Sequence, residues 1–281
     1  MSNMIWSEDI NTIEDEQIRD YLLLEDKIQN HLALMHWDMI SKFKATHQVI
    51  CKNNMFDLVQ FISYPQDDEQ LRAEIIMSDQ RELHPYCLQL QAKLFNYVAS
   101  CMQVVEHSRR ITGSHNKEQL EDYYKVKNEN SSNEHYIVQK YRNHATHCAL
   151  LPLFVNVLFQ PNQCAYKQPI QFEIDNEKIE GKHETKAGII STEVLPSKTI
   201  IIELINEHWV KFDAINSALI DNLINIHQEE FDKYIGLVKK SGEFEKVAKA
   251  KNEVFSSREW LNSQFLEEYE KTKVRDGKEI K

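Results

Sequence analysis

Hydrophobic residues recur every three or four positions along most of the chain, which is the spacing of one face of a helix. Turn-forming and capping residues separate these periodic segments. The pattern therefore predicts helices over about residues 12–47, 55–64, 67–83, 86–111, 116–127, 133–159, 209–235 and 244–273. Pro152 predicts a bend in the helix over 133–159, because proline removes a backbone hydrogen bond from a helix interior.

A different pattern appears between Pro169 and Ile205, where short apolar runs are separated by turn residues. These runs predict β segments at 170–174, 178–180, 187–191 and 199–205. The expected fold is therefore mainly α and forms one compact domain. It comprises a helical bundle core over residues 1–165, a small β-hairpin or sheet insertion over 166–206, and a last core helix with a C-terminal helical extension over 207–281.

Scarce chain breakers support the helical interpretation. The 281 residues include 6 glycines and 6 prolines, about 2% of each, whereas their usual frequencies are roughly 7% and 5%. So few glycines also argue against phosphate-binding loops, and the sequence contains no P-loop, no G-x-G-x-x-G, no H-E-x-x-H and no G-x-S-x-G pattern. These absences exclude most nucleotide hydrolases, dinucleotide-dependent enzymes and serine hydrolases.

Charge and cysteine content narrow the class of protein further. A net charge of −11 disfavours non-specific binding to nucleic acid or to an anionic membrane, although it allows a small basic cleft. Five scattered cysteines without a C-x-x-C pair suggest neither a disulfide framework nor a zinc knuckle, so we expect no cofactor and no metal. With no signal-like or membrane-spanning apolar run, the expected location is the cytoplasm.

One window, YRNHATHC from Tyr141 to Cys148, places polar residues inside a helix with apolar surroundings. Polar groups in such a place need partners or a function. On a helix, Asn143 and His147 share a face, whereas Arg142 and His147 are separated by about 140°. The last two can therefore converge only at a helix end or bend, through the long arginine side chain, or across a two-fold axis between two copies.

The pattern R-N-x-x-x-H at Arg142, Asn143 and His147 resembles the signature of the HEPN superfamily (higher eukaryotes and prokaryotes nucleotide-binding). The resemblance covers about residues 12–159 and the helix after 209, while the β segment and the C-terminal helices lie outside the family's small core. It implies a HEPN-like helical bundle that forms a homodimer with the two motifs facing each other in a cleft. It also implies a metal-independent endoribonuclease that acts on RNA as a toxin, with a possible cognate antitoxin, or in antiviral defence.

The chemistry of RNA cleavage assigns each motif residue a role. His147 can act as general acid or base, because histidine exchanges a proton near neutral pH. Arg142 can grip the phosphate oxygens, and Asn143 can orient the histidine or contact the phosphate. The products would be a 2′,3′-cyclic phosphate and a 5′-hydroxyl. His144 and Tyr141 are candidate auxiliary residues, the tyrosine by stacking on a base.

Other interpretations stay open at the level of sequence. Arg142 and His147 can be a structural pair in a helix interface, and His144, His147 and Cys148 can supply two or three zinc ligands. The protein can also be a non-catalytic HEPN-like protein that binds a partner protein or a nucleotide, an interpretation that the acidic composition favours.

An R-x4-H pair is short enough to recur by chance. A second pair, Arg110 with His115, lacks the following asparagine, and Gly113 interrupts its helix. We therefore interpret this second pair as coincidental, although Arg109, Arg110 and His107 can still line a path for RNA.

Overall fold

The computed structural model describes residues 16–147, 150–179 and 196–250, and these are mainly helical. A π-helical segment, Ala45–Cys51, joins the second and third helices without a break. The helices are α1 (Glu16–Gln29), α2 (Leu32–Lys44), α3 (Lys52–Asp67), α4 (Glu69–Met77), α5 (Pro85–Gly113), α6 (Glu121–Glu129), α7 (Asn133–His147), α8 (Ile201–Ile226) and α9 (Gln228–Ala250).

Three short strands form one antiparallel sheet in the order β1-β2-β3. In the pairing register, Leu153 lies opposite Ile174, and Ile174 lies opposite Thr199. Leu153 and Val155 are buried while Phe154 between them is exposed, the alternation of a strand with one face on the core. The strands are β1 (Leu153–Val157), β2 (Ile170–Asp175) and β3 (Lys198–Ile200).

Backbone contacts divide the chain into two units, one of residues 42–222 and the other of residues 1–41 with 223–281. In the first unit α5 is central, because α3, α7 and the π-helical segment all pack on it. The buried apolar residues of α5 follow helical spacing: Tyr86, Cys87, Leu90, Leu94, Tyr97, Val98, Cys101, Val104 and Ile111. Strand β2 packs on α3, so the sheet belongs to the same unit.

In the second unit α1 packs against α9. Ser241 of α9 donates a hydrogen bond from Oγ to the carboxylate of Glu25 on α1 over 2.5 Å. On α2, the ring of Trp37 meets Phe231 of α9 edge-on, with 5.8 Å between ring centroids. The three helices are thus held by apolar packing, with a polar contact at one edge.

The helix starts predicted at about 67 and 86 and the β segment predicted at 170–174 are close to those in the structure. Pro85 is the first residue of α5, and His84 Nδ1 accepts a hydrogen bond from the backbone N–H of Tyr86 over 3.2 Å. Asp68 is the N-cap of α4, where its carboxylate accepts from the N–H of Leu71 over 2.9 Å. The β segment predicted at 170–174 is strand β2.

The prediction of one helix over 133–159 is wrong beyond α7. Residues 153–157 form strand β1, and the chain already belongs to the sheet at Pro152, whose carbonyl accepts from the N–H of Asp175 over 3.0 Å. A short apolar run fits a buried helix or a strand equally well. The partner strand β2, which decides between them, is distant in sequence.

Other boundaries also differ from the prediction. The run at 199–205 is extended only to Ile200, and α8 begins at Ile201. In the segment predicted as β at 178–180, Lys178 ends a 3-10 turn, Asn176–Lys178. The helix predicted over 12–47 is divided, because α1 ends at Gln29 and the Nδ1 of His31 caps α2 by accepting from the N–H of Ala33. The predicted β segment at 187–191 and the C-terminal helix beyond 250 lie outside the described residues.

The cap of α4 allows a direct test of local stability. We expect Asp68→Ala to lower the free energy of unfolding by about 1 kcal/mol, because it leaves an N–H of the first turn without its acceptor. Asp68→Asn should retain most of the stability, since asparagine caps a helix as well as aspartate. Urea unfolding of both variants measures the difference, and equal stability of Asp68→Ala and wild type would contradict the capping role.

Candidate functional site

Helix α7 carries the R-N-x-x-x-H motif in its C-terminal half, and neighbouring residues divide between two faces. Tyr141 is fully buried and donates a hydrogen bond to Oδ1 of Asn176, just after β2, over 3.0 Å. Burial is also the main reason that the pKa of the Tyr141 hydroxyl lies well above its ordinary value. The ring of Tyr141 therefore packs in the core of this unit and anchors α7 to the sheet.

Arg142 is rotated by about 100° from Tyr141 around the helix axis, and its side chain is exposed. Its Nη1 donates a hydrogen bond to Oδ1 of the half-buried Asn143 over 3.2 Å, and its backbone carbonyl accepts from Thr146 Oγ1 over 2.7 Å. The structure thus brings two of the three motif side chains together at the surface. The guanidinium has further donors beyond the bond to Asn143, so it can bind an anion there.

His144, a candidate auxiliary residue, lies on the inner face of α7 and is 6% exposed. Its Nδ1 has no hydrogen-bond partner among the residues that the structure describes. An unpaired buried imidazole nitrogen is unfavourable by roughly 1–3 kcal/mol. His144 therefore lies beneath the surface on which Arg142 and Asn143 are placed.

His147 is the last residue of α7. The position of its side chain lies outside the described part of the structure, as does Cys148. The structure consequently places Arg142 and Asn143, and it gives no distance from either to the imidazole of His147. The zinc interpretation that joins His144 to His147 and Cys148 is likewise untested.

A hydrogen-bonded chain that sequence reasoning missed runs through the core of the same unit. Tyr97 of α5 bonds through Oη to Nδ1 of His208 on α8 over 2.7 Å, and Nε2 of His208 lies 3.2 Å from Nδ1 of His135 on α7. The two imidazoles are nearly parallel, 5.5 Å apart, and the ring of Phe212 stacks on both. Three helices thus meet at one polar connection.

Burial and nearby cations hold these histidines in their neutral form. Desolvation, assisted by His135, lowers the pKa of His208 to about 3. Burial and then the charges of Arg109 and Lys127 lower the pKa of His135. Because His135 is only partly buried, the Tyr97–His208–His135 chain leads from the core towards a surface with positive charge.

A third group has the donor atoms of a metal site. His36, His227 and Glu230 each offer one ligand atom, and these atoms lie within 4.8 Å of one another. All three residues belong to the unit formed by residues 1–41 and 223–281. We expected no metal from the sequence, in which these ligands are up to 194 positions apart and form no recognisable spacing.

The sequence matches no protein-family model, and comparison with curated proteins and with solved structures finds no significant match. None of the described helices combines the length and the apolar character needed to cross a bilayer. The functional interpretation therefore depends on the residues themselves.

The histidine chain predicts a loss of stability in acid. The folded-state pKa of His208 lies below the ordinary value of 6.5, so between these pH values the unfolded chain binds more protons than the folded one. Stability should be complete above about pH 6.5 and fall as the pH decreases, with His208 alone contributing a loss of about 2 kcal/mol by pH 5. Urea unfolding at pH 7 and pH 5 measures this loss.

Two variants separate titration from packing. His208→Gln removes the titrating group and should reduce the difference in unfolding free energy between pH 7 and pH 5. Tyr97→Phe removes the hydroxyl partner but keeps both imidazoles, so it should lower stability at both pH values by about 1 kcal/mol without flattening the pH dependence. An unchanged pH dependence in His208→Gln would show that other groups cause the loss.

Proposed function

We propose that this protein is a metal-independent endoribonuclease of the HEPN type. The observation that supports the proposal is the placement of Arg142, which is exposed and bonded to Asn143 rather than paired in the core. An arginine that only stabilised a helix interface would be buried against a partner group. An exposed guanidinium beside an amide is instead arranged to receive an anionic group such as a phosphate.

The proposed reaction divides the work among the three motif residues. A base removes the proton of the 2′-hydroxyl, the 2′-oxygen attacks phosphorus, and the bond from phosphorus to the 5′-oxygen breaks as that oxygen gains a proton. His147 supplies general acid or base catalysis, and Arg142 stabilises the charge that develops on the phosphate oxygens. Asn143 orients the histidine or contacts the phosphate. The products carry 2′,3′-cyclic phosphate and 5′-hydroxyl ends.

A homodimer would complete the proposed site. Arg142 and His147 lie about 140° apart around one helix, so residues of two copies meet more readily than residues of one. Two motifs facing each other would also concentrate positive charge locally in a chain whose net charge is −11. As a toxin or antiviral-defence component, such a dimer would act on RNA and could be restrained by an antitoxin.

The decisive measurement is cleavage of a labelled RNA pool in EDTA by the full-length protein, with its dimeric state measured by sedimentation. We expect wild type to leave cyclic phosphate ends, and His147→Ala and Arg142→Ala each to reduce the cleavage rate by about 100-fold or more. Lys125→Ala is the control, because it also removes an exposed positive charge from a helix and lies outside the motif. This variant should cleave RNA as wild type does.

Two outcomes would contradict the proposal. Equal cleavage by wild type, His147→Ala and Arg142→Ala would place the activity elsewhere or identify a contaminant. No cleavage by folded, dimeric wild type would favour the other function, a non-catalytic HEPN-like protein that binds a partner protein or a nucleotide.

A further inference from the structure

We infer that His36, His227 and Glu230 form a binding site for one divalent transition-metal ion, with Zn²⁺ as the expected occupant. The three side chains converge although α2 and the junction of α8 with α9 are remote in sequence. His36 lies on α2, His227 lies between α8 and α9, and Glu230 lies in the first turn of α9. The proposed site therefore ties two distant segments of one unit together.

The distances between the donor atoms are close to those that a metal ion requires. Glu230 Oε2 lies 2.7 Å from Nδ1 of His36 and 3.5 Å from Nδ1 of His227. Ligands bonded to tetrahedral zinc at about 2.0–2.2 Å are separated from each other by about 3.3–3.5 Å. The pair of Glu230 and His227 already has this separation, and the pair of Glu230 and His36 must open by less than 1 Å. The third pair, of His36 and His227, lies within 4.8 Å.

The orientation of the two imidazoles defines the movement that binding needs. The rings of His36 and His227 are stacked, with 3.6 Å between centroids and 26° between planes. A nitrogen lone pair lies in the plane of its ring. The lone pairs of two stacked rings therefore lie in nearly parallel planes and do not point at one metal ion. Rotation of one imidazole about its side-chain bonds is therefore part of metal binding.

Packing around the group supports it while leaving it accessible. Phe231, next to Glu230, is buried and contacts the rings of both Trp37 and His227, with centroid distances of 5.8 and 6.1 Å. The side chain of His36 is 19% exposed and that of Glu230 is 37% exposed. An apolar contact thus fixes the helices beside the ligands, and solvent reaches part of both side chains.

The donor set selects the class of ion. Two imidazole nitrogens and one carboxylate oxygen suit zinc and its transition-metal neighbours, whereas magnesium and calcium prefer sites made of oxygen. Three protein ligands leave at least one coordination position for water. The three ligands belong to the unit of residues 1–41 and 223–281, whereas the motif of the proposed ribonuclease lies in the other unit. Because RNA cleavage is tested in EDTA, that test does not depend on the metal site.

Isothermal titration calorimetry with Zn²⁺ tests the site on full-length protein from which any histidine tag and metal have been removed. We expect wild type to bind one Zn²⁺ per chain, and Mg²⁺ at the same concentration to give no binding signal. His36→Ala and Glu230→Gln should each weaken Zn²⁺ binding by more than about tenfold. Glu229→Gln is the matched control, because the neighbouring Glu229 pairs with Lys233 on the exposed side of α9.

A second measurement keeps the test independent of variant stability. Zn²⁺ should raise the melting temperature of wild type and of Glu229→Gln, but not that of Glu230→Gln, whose side chain keeps its size. The absorption spectrum of bound Co²⁺ should show nitrogen and oxygen coordination that changes in His36→Ala. The site is overturned if wild type binds no Zn²⁺, or if Glu230→Gln and Glu229→Gln bind it equally well.

Discussion

Burial of one face of α5 is the constraint on which the larger unit depends. This helix has 29 residues and extends for about 44 Å, so its apolar face needs cover along its whole length. Helices α3 and α7 and the π-helical segment supply that cover. Tyr97 lies on the same face, and its buried hydroxyl requires a hydrogen-bond partner. His208 meets this requirement, which fixes α8 against α5 and brings His135 of α7 into the connection.

The same packing determines which motif residues reach the surface. Successive helical residues are rotated by about 100°, so burial of Tyr141 and His144 against the core turns Arg142 outwards. The bond from Tyr141 to Asn176 fixes this rotation, because it ties α7 to the chain just after β2. The exposure of Arg142 is therefore a consequence of the burial of Tyr141 and His144 in the core.

Sequence reasoning succeeded where local chemistry decides the structure and failed where a distant partner decides it. The starts of α4 and α5, predicted at about 67 and 86, follow from side-chain chemistry within a few residues, at the N-cap Asp68 and at Pro85. Strand β1 was predicted as part of a helix, because its apolar run alone does not show that it pairs with β2. The same limit applies to sites. The R-N-x-x-x-H motif is contiguous and is visible in the sequence as a candidate, whereas His36 and Glu230 converge across 194 positions.

The different environments of the histidines restrict where acid–base chemistry can occur. At neutral pH a histidine with a pKa of about 3, such as His208, is protonated in only about one molecule in 10⁴. Burial and two nearby cations lower the pKa of His135 as well, so its neutral form is also favoured. Their neutral state instead suits a structural connection between three helices. The general acid of the proposed RNA cleavage would therefore lie outside the Tyr97–His208–His135 chain.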